Sequence, residues 1–436
     1  MGLGAELPVW AVLPFVGLLL SIALLPLAAP GFWEKNANKA LVAALFSLPV
    51  VLELVGGFGR EGLHQLVEKG REYLSFILLL LALFVITGGI VVRGSLSGTP
   101  LVNTGILALG ALIANVIGTT GASVLLIRPL LRANAPRERK VHIVVFFIFI
   151  VSNCGGLLTP LGDPPLFLGF LKGVPFEWTL SLWKPWALVN GALLVLFNVW
   201  DQRVLDAEEL ARPGSQLEAV MHHEPLRIEG RRNFLFLLGV VAIVFAAGRA
   251  AWPYGVQEAG MAGLALVAFA ATPAALRAAN RFTWAPIVEV ALLFAGIFIT
   301  MAPALLLLNA HAASLGVREP WHFYWASGLL SSFLDNAPTY LTFAATAAGL
   351  KGVAVEGRYL AELLAQGEVS AKLVAAVSCG SVMMGANSYI GNGPNFMVKA
   401  IAEEAGVQMP SFFGYMAYSV AILIPLFVAV TFAFMR

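Results

Sequence analysis

Residues 152–167 read SNCGGLLTPLGDPPLF, with three glycines, three prolines and one aspartate in sixteen positions. On their N-terminal side stands VHIVVFFIFIV, Val141–Val151, a run with the apolar character of a membrane span. In hydrocarbon, an unpaired backbone N–H or C=O costs several kcal/mol, so a Gly- and Pro-rich interruption survives only where protein or a polar ligand satisfies the freed groups. The interruption therefore predicts a helix broken at membrane depth, with carbonyls and helix ends facing a cavity that can hold a small ion.

The rest of the chain supplies the membrane context. Of its 436 residues, 59% are hydrophobic and 12% charged, and the mean hydropathy is +0.84; a water-soluble core needs no such balance. Runs long enough to cross about 30 Å of hydrocarbon recur throughout, which predicts helices rather than a barrel. Plain spans are expected near 8–29, 38–56, 72–93, 180–201, 233–251, 258–277, 285–309 and 411–435. The first of these is too long for a signal peptide and reads as a retained helix. Cys154 and Cys379 sit in apolar segments without metal-ligand spacing and read as small packing residues. The 27 Lys and Arg are scattered over short loops, which gives no footprint for nucleic acid.

The polar stretch QRVLDAEELARPGSQLEAVMHHEPLRIEGRRN divides the chain into 1–201 and 233–436, with 202–232 as a linker. Each half runs in the same order: three plain spans, a polar-centred hairpin (101–133 and 319–350), a broken helix and a closing helix. ALFVITGG (Ala82–Gly89) lies against GIFITMAP (Gly296–Pro303), and LGDPPLF (Leu161–Phe167) against IGNGPNF (Ile390–Phe396). If both hairpins are re-entrant, each half crosses five times and the second half is inverted. The expected fold is thus an all-α polytopic membrane protein of two inverted repeats, each of five transmembrane helices with a re-entrant hairpin and a broken helix. On this plan 16 Lys and Arg fall on the linker side, which marks that side as cytoplasmic and puts both termini outside.

Four polar clusters lie at membrane depth: ANVIGTTGAS (Ala114–Ser123), the opening stretch, SSFLDNAPT (Ser331–Thr339) and MGANSYIGNGPN (Met384–Asn395). Asp163 and Asp335 fall one in each half, among Asn153, Thr159, Asn336, Asn387, Asn392 and Asn395, all hard oxygen donors suited to sodium. Thr119, Thr120 and Ser123 complete the candidate set. A carboxylate at such depth is expensive unless it is protonated or holds a cation, and switching between those states is how one carboxylate exchanges protons for sodium. The plainer reading of a single buried Asp is a helix cap. Glu53 and Glu289 are weaker candidates because either can reach the interface, and the six histidines, at span ends and in the linker, are assigned no proton relay.

At these residues the chain resembles the ion transporter superfamily, which groups NhaD-type sodium/proton antiporters, arsenite permeases, citrate transporters and divalent-anion symporters. SNCGGLLTPLGDPP is similar to that family's N-x-G-G-x-x-T-x-x-G-D-P-P signature at Asn153, Gly155, Gly156, Thr159, Gly162, Asp163, Pro164 and Pro165. TTGAS (Thr119–Ser123) and DNAPT (Asp335–Thr339) resemble its two hairpin tips, and GNGPN (Gly391–Asn395) its second broken helix. The resemblance implies a homodimer with a scaffold and a moving transport domain, working by elevator-type alternating access. Leu166 stands where many relatives carry Asn. Asp335–Asn336 replaces the Ser-Asn-Thr triplet that reads substrate carboxylates in the dicarboxylate symporters.

The expected function is sodium (or lithium) exchange for protons, with sodium held among Asn153, Thr159, Asp163, Asp335, Asn336 and Asn392, and no further cofactor. The alternative is a sodium-coupled symporter of citrate or another organic anion. No HExxH, paired GxGD-type aspartates, Ser-His pair or nucleotide-binding loop appears, which argues against a membrane enzyme or an ATP-driven pump.

Overall fold

The computed structural model describes residues 3–250 and 252–436; Ala251, the expected end of one span, lies outside them with Met1 and Gly2. The chain is nearly all helical. Among the described residues eight helices are long and apolar enough to cross a membrane: Val9–Pro26, Asn36–Thr87, Pro100–Ala133, Phe176–Ala211, Arg232–Ala250, Ala285–Ala310, Glu368–Asn387 and Phe412–Phe434. The expected span near 258–277 is shorter, Val256–Ala271, and stops where Thr272-Pro273 leaves the helical path.

Two of the long helices turn back on themselves. In Asn36–Thr87 the backbone reverses at Gly59 (φ 53°, ψ −121°), and Gly62 comes so close that a Cβ there would meet the Leu54 carbonyl. The expected spans 38–56 and 72–93 are thus two arms of one hairpin. In Pro100–Ala133 the break is at Gly118 (φ 77°, ψ 155°). Asn103 and Asn134 then exchange hydrogen bonds of 2.9 and 2.8 Å, whereas a straight helix would hold them about 45 Å apart. A third hairpin, the second of the two with polar tips, follows in Pro320–Ser331 and Asn336–Leu350, both arms packing on Glu368–Met384.

The broken helices run Val141–Ile150 to Pro164–Leu171 and Glu368–Met384 to Gly393–Glu404. Each break is pinched by two glycines six residues apart. A Cβ on Gly156 would lie 2.8 Å from the Gly162 oxygen, and one on Gly391 would lie 2.5 Å from the Gly385 oxygen. The freed carbonyls are claimed by the closing helices. Trp186 Nε1 and Asn190 Nδ2 donate to Gly155 and Cys154 at 2.8 and 3.1 Å, and Tyr415 Oη and Ser419 Oγ donate to Ala386 and Asn387 at 2.8 and 2.7 Å. The backbone demand that the opening stretch raises is met from both sides. Gly391→Ala is expected to cost about 2 kcal/mol of stability through this backbone clash, read as a lower unfolding temperature in detergent.

The polar stretch 202–232 departs from a plain linker. Helix Trp183–Ala211 runs through the expected boundary at 201, and Glu224–Glu229 forms an antiparallel strand pair with Val91–Ser95. The span expected to reach residue 93 therefore ends at Thr87, where Gly88-Gly89 breaks it and the β-branched Val91-Val92 enters the strand. Cys154 and Cys379 are buried and free, in keeping with a packing role.

Candidate functional site

The tips of the two hairpins and the two breaks meet. Asp163, the residue before helix Pro164–Leu171, is 1% exposed and accepts hydrogen bonds from three elements. Thr119 Oγ1 of the first hairpin donates to Oδ1 at 2.6 Å, Asn392 Nδ2 of the second break donates to Oδ1 at 3.1 Å, and Asn336 Nδ2 of the second hairpin donates to Oδ2 at 2.5 Å. All these donors are neutral. The helix beginning at Pro164 adds its positive end, but no side-chain cation compensates the carboxylate in these bonds.

Around this centre the expected residues divide. Asn392 Nδ2 also reaches the Ser152 carbonyl at 3.0 Å and Asn153 Oδ1 at 3.3 Å. Asn153 Nδ2 donates to Asn395 Oδ1 at 2.7 Å, and Asn395 Nδ2 donates to the Gly385 and Ser388 carbonyls at 2.9 Å each. These three asparagines lace the two breaks together. Thr159 is turned away from Asp163: its hydroxyl donates to the Asn115 carbonyl and accepts from Leu161 N. Ser123 bonds Ser152 at 2.8 Å, buried beside the cluster, whereas Thr120 is exposed at the wall of the adjoining cavity.

Asp335 is partly buried and caps helix Asn336–Leu350, accepting from Ala337 N at 3.0 Å. The next residue, Asn336, bonds Asp163, so both carboxylates belong to one neighbourhood, the second already committed to backbone. Two buried oxygens are left unclaimed, Asn336 Oδ1 and Asn387 Oδ1. An unpaired acceptor in such a place costs about 1–3 kcal/mol; Asn336 Oδ1 belongs to the amide that bonds Asp163, where a hard cation is the partner an amide oxygen beside a carboxylate selects, whereas the Asn387 amide donates to Ser332 Oγ at 2.9 Å.

The two breaks repeat each other's bonding. Leu161 N and Ile390 N bond the Thr159 and Ser388 hydroxyls at 3.2 Å each. Those hydroxyls in turn donate to the carbonyls of Asn115 and Ser332, one in each hairpin. Asp163 and Asn392, each just before its helix, share an extended conformation (φ −146°, ψ 145° and φ −151°, ψ 140°). Leu166 corresponds to Asn395, so the polar side chain missing from the first break is present in the second, where it bonds Asn153.

A cavity of about 300 Å³ is walled by Thr119 and Asp163 together with Phe76, Phe84, Phe167 and Phe282, and Arg128 and Arg281 also face it. The Arg281 side chain is 63% exposed and pairs with Glu404; its φ of 52° is in the left-handed region that non-glycine residues seldom adopt. The chamber therefore joins a carboxylate to a cationic mouth through apolar walls.

A family model described as "Putative citrate transport" matches residues 4–435. The chain belongs to that family. It is accordingly a multi-pass membrane transporter. A search of the curated proteins found no match.

Sequence reasoning overlooked Asn115, Ser332, Ser388 and the two cavity arginines. Asn115 Nδ2 donates to Gly155 O and its Oδ1 accepts from Leu158 N, both at 2.8 Å, pinning the first break to the first hairpin. Its place in ANVIGTTGAS was the available signal. Arg128, inside helix Pro100–Ala133, and Arg281 had none, since basic residues near span ends look alike in sequence. Glu289 pairs with Lys39 at 2.8 Å, and His142 belongs to a buried ion cluster around Asp201.

Proposed function

We propose that this member of a citrate-transport family is a secondary active transporter exchanging sodium (or lithium) for protons, with Asp163 as the carrying group. The observation that carries the proposal is the setting of Asp163. It is a buried carboxylate at the junction of two breaks and two hairpins, hydrogen-bonded only by neutral donors and facing a cavity. Such a group is stable when protonated or when a cation sits against it, and alternation between those states couples the two fluxes. Asn336, Asn387 and Asp335 supply further oxygens for the cation, while Thr119 and Asn392 orient the carboxylate and Asn153 and Asn395 hold the breaks in register.

The matched bonding of the breaks, with corresponding residues the same number of positions apart in both, supports two inverted five-helix repeats spanning 1–201 and 233–436. The resemblance to the ion transporter superfamily adds to this reading a homodimer that moves its transport elements by an elevator step. With the linker side cytoplasmic and both termini outside, the cavity walled by Asp163 opens toward the cytoplasm. In everted membrane vesicles, a sodium pulse is expected to dissipate an established proton gradient. A gradient unmoved by sodium and lithium at every pH tried rejects the exchange.

A second reading, sodium-coupled symport of citrate or another organic anion, is favoured by Arg128 and Arg281 at the cavity and by the family's description. It predicts sodium-dependent citrate uptake that falls at least about tenfold in Arg128→Gln, since one guanidinium–carboxylate contact contributes about 1.5–3 kcal/mol. Uptake that is sodium-independent or unchanged in that variant removes this reading.

A further inference from the structure

The chamber in front of Asp163 has the size and the walls of a site for an organic molecule. Its volume of about 300 Å³ stands at the lower end of small-molecule pockets, about 300–1,000 Å³. Leu79, Leu83, Ile287 and Val290 line it together with the four phenylalanines. Two of those rings, Phe84 and Phe282, lie against each other with centroids 5.1 Å apart. A bare cation or a hydrated polyanion gains nothing from such walls, whereas an apolar body leaves water for them.

The charged groups leave one position open. Asp163, Arg128 and Arg281 are the charged side chains on the cavity wall. Arg281 is paired with Glu404, and Asp163 holds its three neutral donors at the inner end. Arg128 follows Thr119 by nine residues along one helical arm, about 13 Å of rise, which carries it away from that carboxylate toward the mouth. It is half-buried and, among the described residues, makes no hydrogen bond or ion pair. Two other donors on the wall, Thr87 Oγ1 and Asn280 Nδ2, are spent on backbone carbonyls. A guanidinium has five N–H groups and no acceptor, and a carboxylate is the partner that matches its fork.

We propose that this chamber binds an amphipathic monocarboxylate, with its carboxylate on Arg128 and its apolar body among Phe76, Phe84, Phe167 and Phe282, and that the bound acid closes the path to Asp163. One unclaimed guanidinium answers one carboxylate. The further charges of a polyanion such as citrate meet phenyl rings and aliphatic side chains, where an unpaired charge is costly to bury. Once the chamber is filled by an apolar body it holds no water, so ions lose their approach to Asp163 from this side. The closing of the path rests on the reading of Asp163 as the carrying group; the binding does not.

Equilibrium dialysis of radiolabelled 4-phenylbutyrate against purified full-length protein in detergent measures binding without any transport. The expected result is saturable binding whose half-saturating concentration rises at least about tenfold in Arg128→Gln, the effect of one lost charge-assisted contact. Arg128→Lys, which keeps the charge without the fork, should recover part of that loss. Citrate, which lacks the apolar body, and 4-phenylbutanol, which lacks the charge, should each compete at least about tenfold less well than the unlabelled acid. In vesicles, uptake of radioactive sodium should fall with the same half-saturating concentration. Absence of saturable binding, an Arg128→Gln protein with the wild-type curve, or citrate competing better than the acid overturns the proposal. Binding that added phosphatidylglycerol abolishes and phosphatidylcholine does not gives the chamber to a lipid anion and likewise overturns it. Saturable, Arg128-dependent binding by a protein that exchanges no sodium supports the site and counts against the exchange reading alone.

Discussion

Asp163→Asn is expected to lower sodium–proton exchange by about 100-fold or more in reconstituted vesicles, equivalent to about 2.7 kcal/mol in the transport barrier. Asparagine matches aspartate in shape, so Thr119, Asn336 and Asn392 keep a partner of the same size and the fold survives. What is lost is the ability to alternate between a protonated and a cation-bearing state. The amide offers one oxygen where the carboxylate offered two, so either Asn336 or the Thr119–Asn392 pair faces an N–H, and the donors that keep an acceptor keep a neutral one, a bond weaker by about half. Asn336→Ala, which removes one donor and one unclaimed oxygen while leaving the carboxylate, should reduce exchange less and raise the sodium concentration for half-maximal rate. The ordering of the two variants separates the carrying group from a supporting ligand. Asp163→Asn vesicles that exchange at the wild-type rate would take the central role from this residue.

Much of this arrangement was legible in the sequence because the chemistry is local there. Gly155, Gly156, Gly162, Asp163 and the paired prolines stand within a dozen positions, and no straight membrane helix tolerates them together. The plain spans were legible for the same reason, since apolar length is a property of one segment. What stayed hidden depends on partners far apart in the chain. Val91–Ser95 becomes a strand only because Glu224–Glu229 pairs with it, and neither segment announces the other. Asp335 is a helix cap as well as a neighbour of Asp163, and its short motif fits both roles. Thr159 belongs to the signature yet serves the Asn115 carbonyl, because a hydroxyl beside a break is drawn first to the nearest unpaired backbone group. The orphaned oxygens of Asn336 and Asn387 emerge only when every competing donor has been placed.

Arg137→Met should destabilise the protein by about 3–5 kcal/mol, the cost of leaving a buried charge without its partner. Arg137 is 2% exposed and holds Asp201, fully buried, at 2.6 Å. Asp201 also meets His142 Nε2 at 2.8 Å and Asn103 Nδ2 at 2.9 Å, and Asn103 is bonded to Asn134 across the ends of the first hairpin. The cluster therefore ties the hairpin that carries Thr119 to helix Trp183–Ala211, whose Trp186 and Asn190 hold the first break. Loss of the guanidinium strands Asp201 and leaves Glu208, 3.5 Å from Arg137 Nε, with the Arg139 amide as its remaining hydrogen bond. The double variant Arg137→Met/Asp201→Asn removes both charges and should recover at least about 1.5 kcal/mol relative to the sum of the single changes, because the two residues share one interaction. Unfolding in detergent, followed by tryptophan fluorescence, measures both quantities. Additive losses, or an Arg137→Met loss below about 1 kcal/mol, would mean that the hairpin is anchored by its asparagines and its packing rather than by this charge cluster.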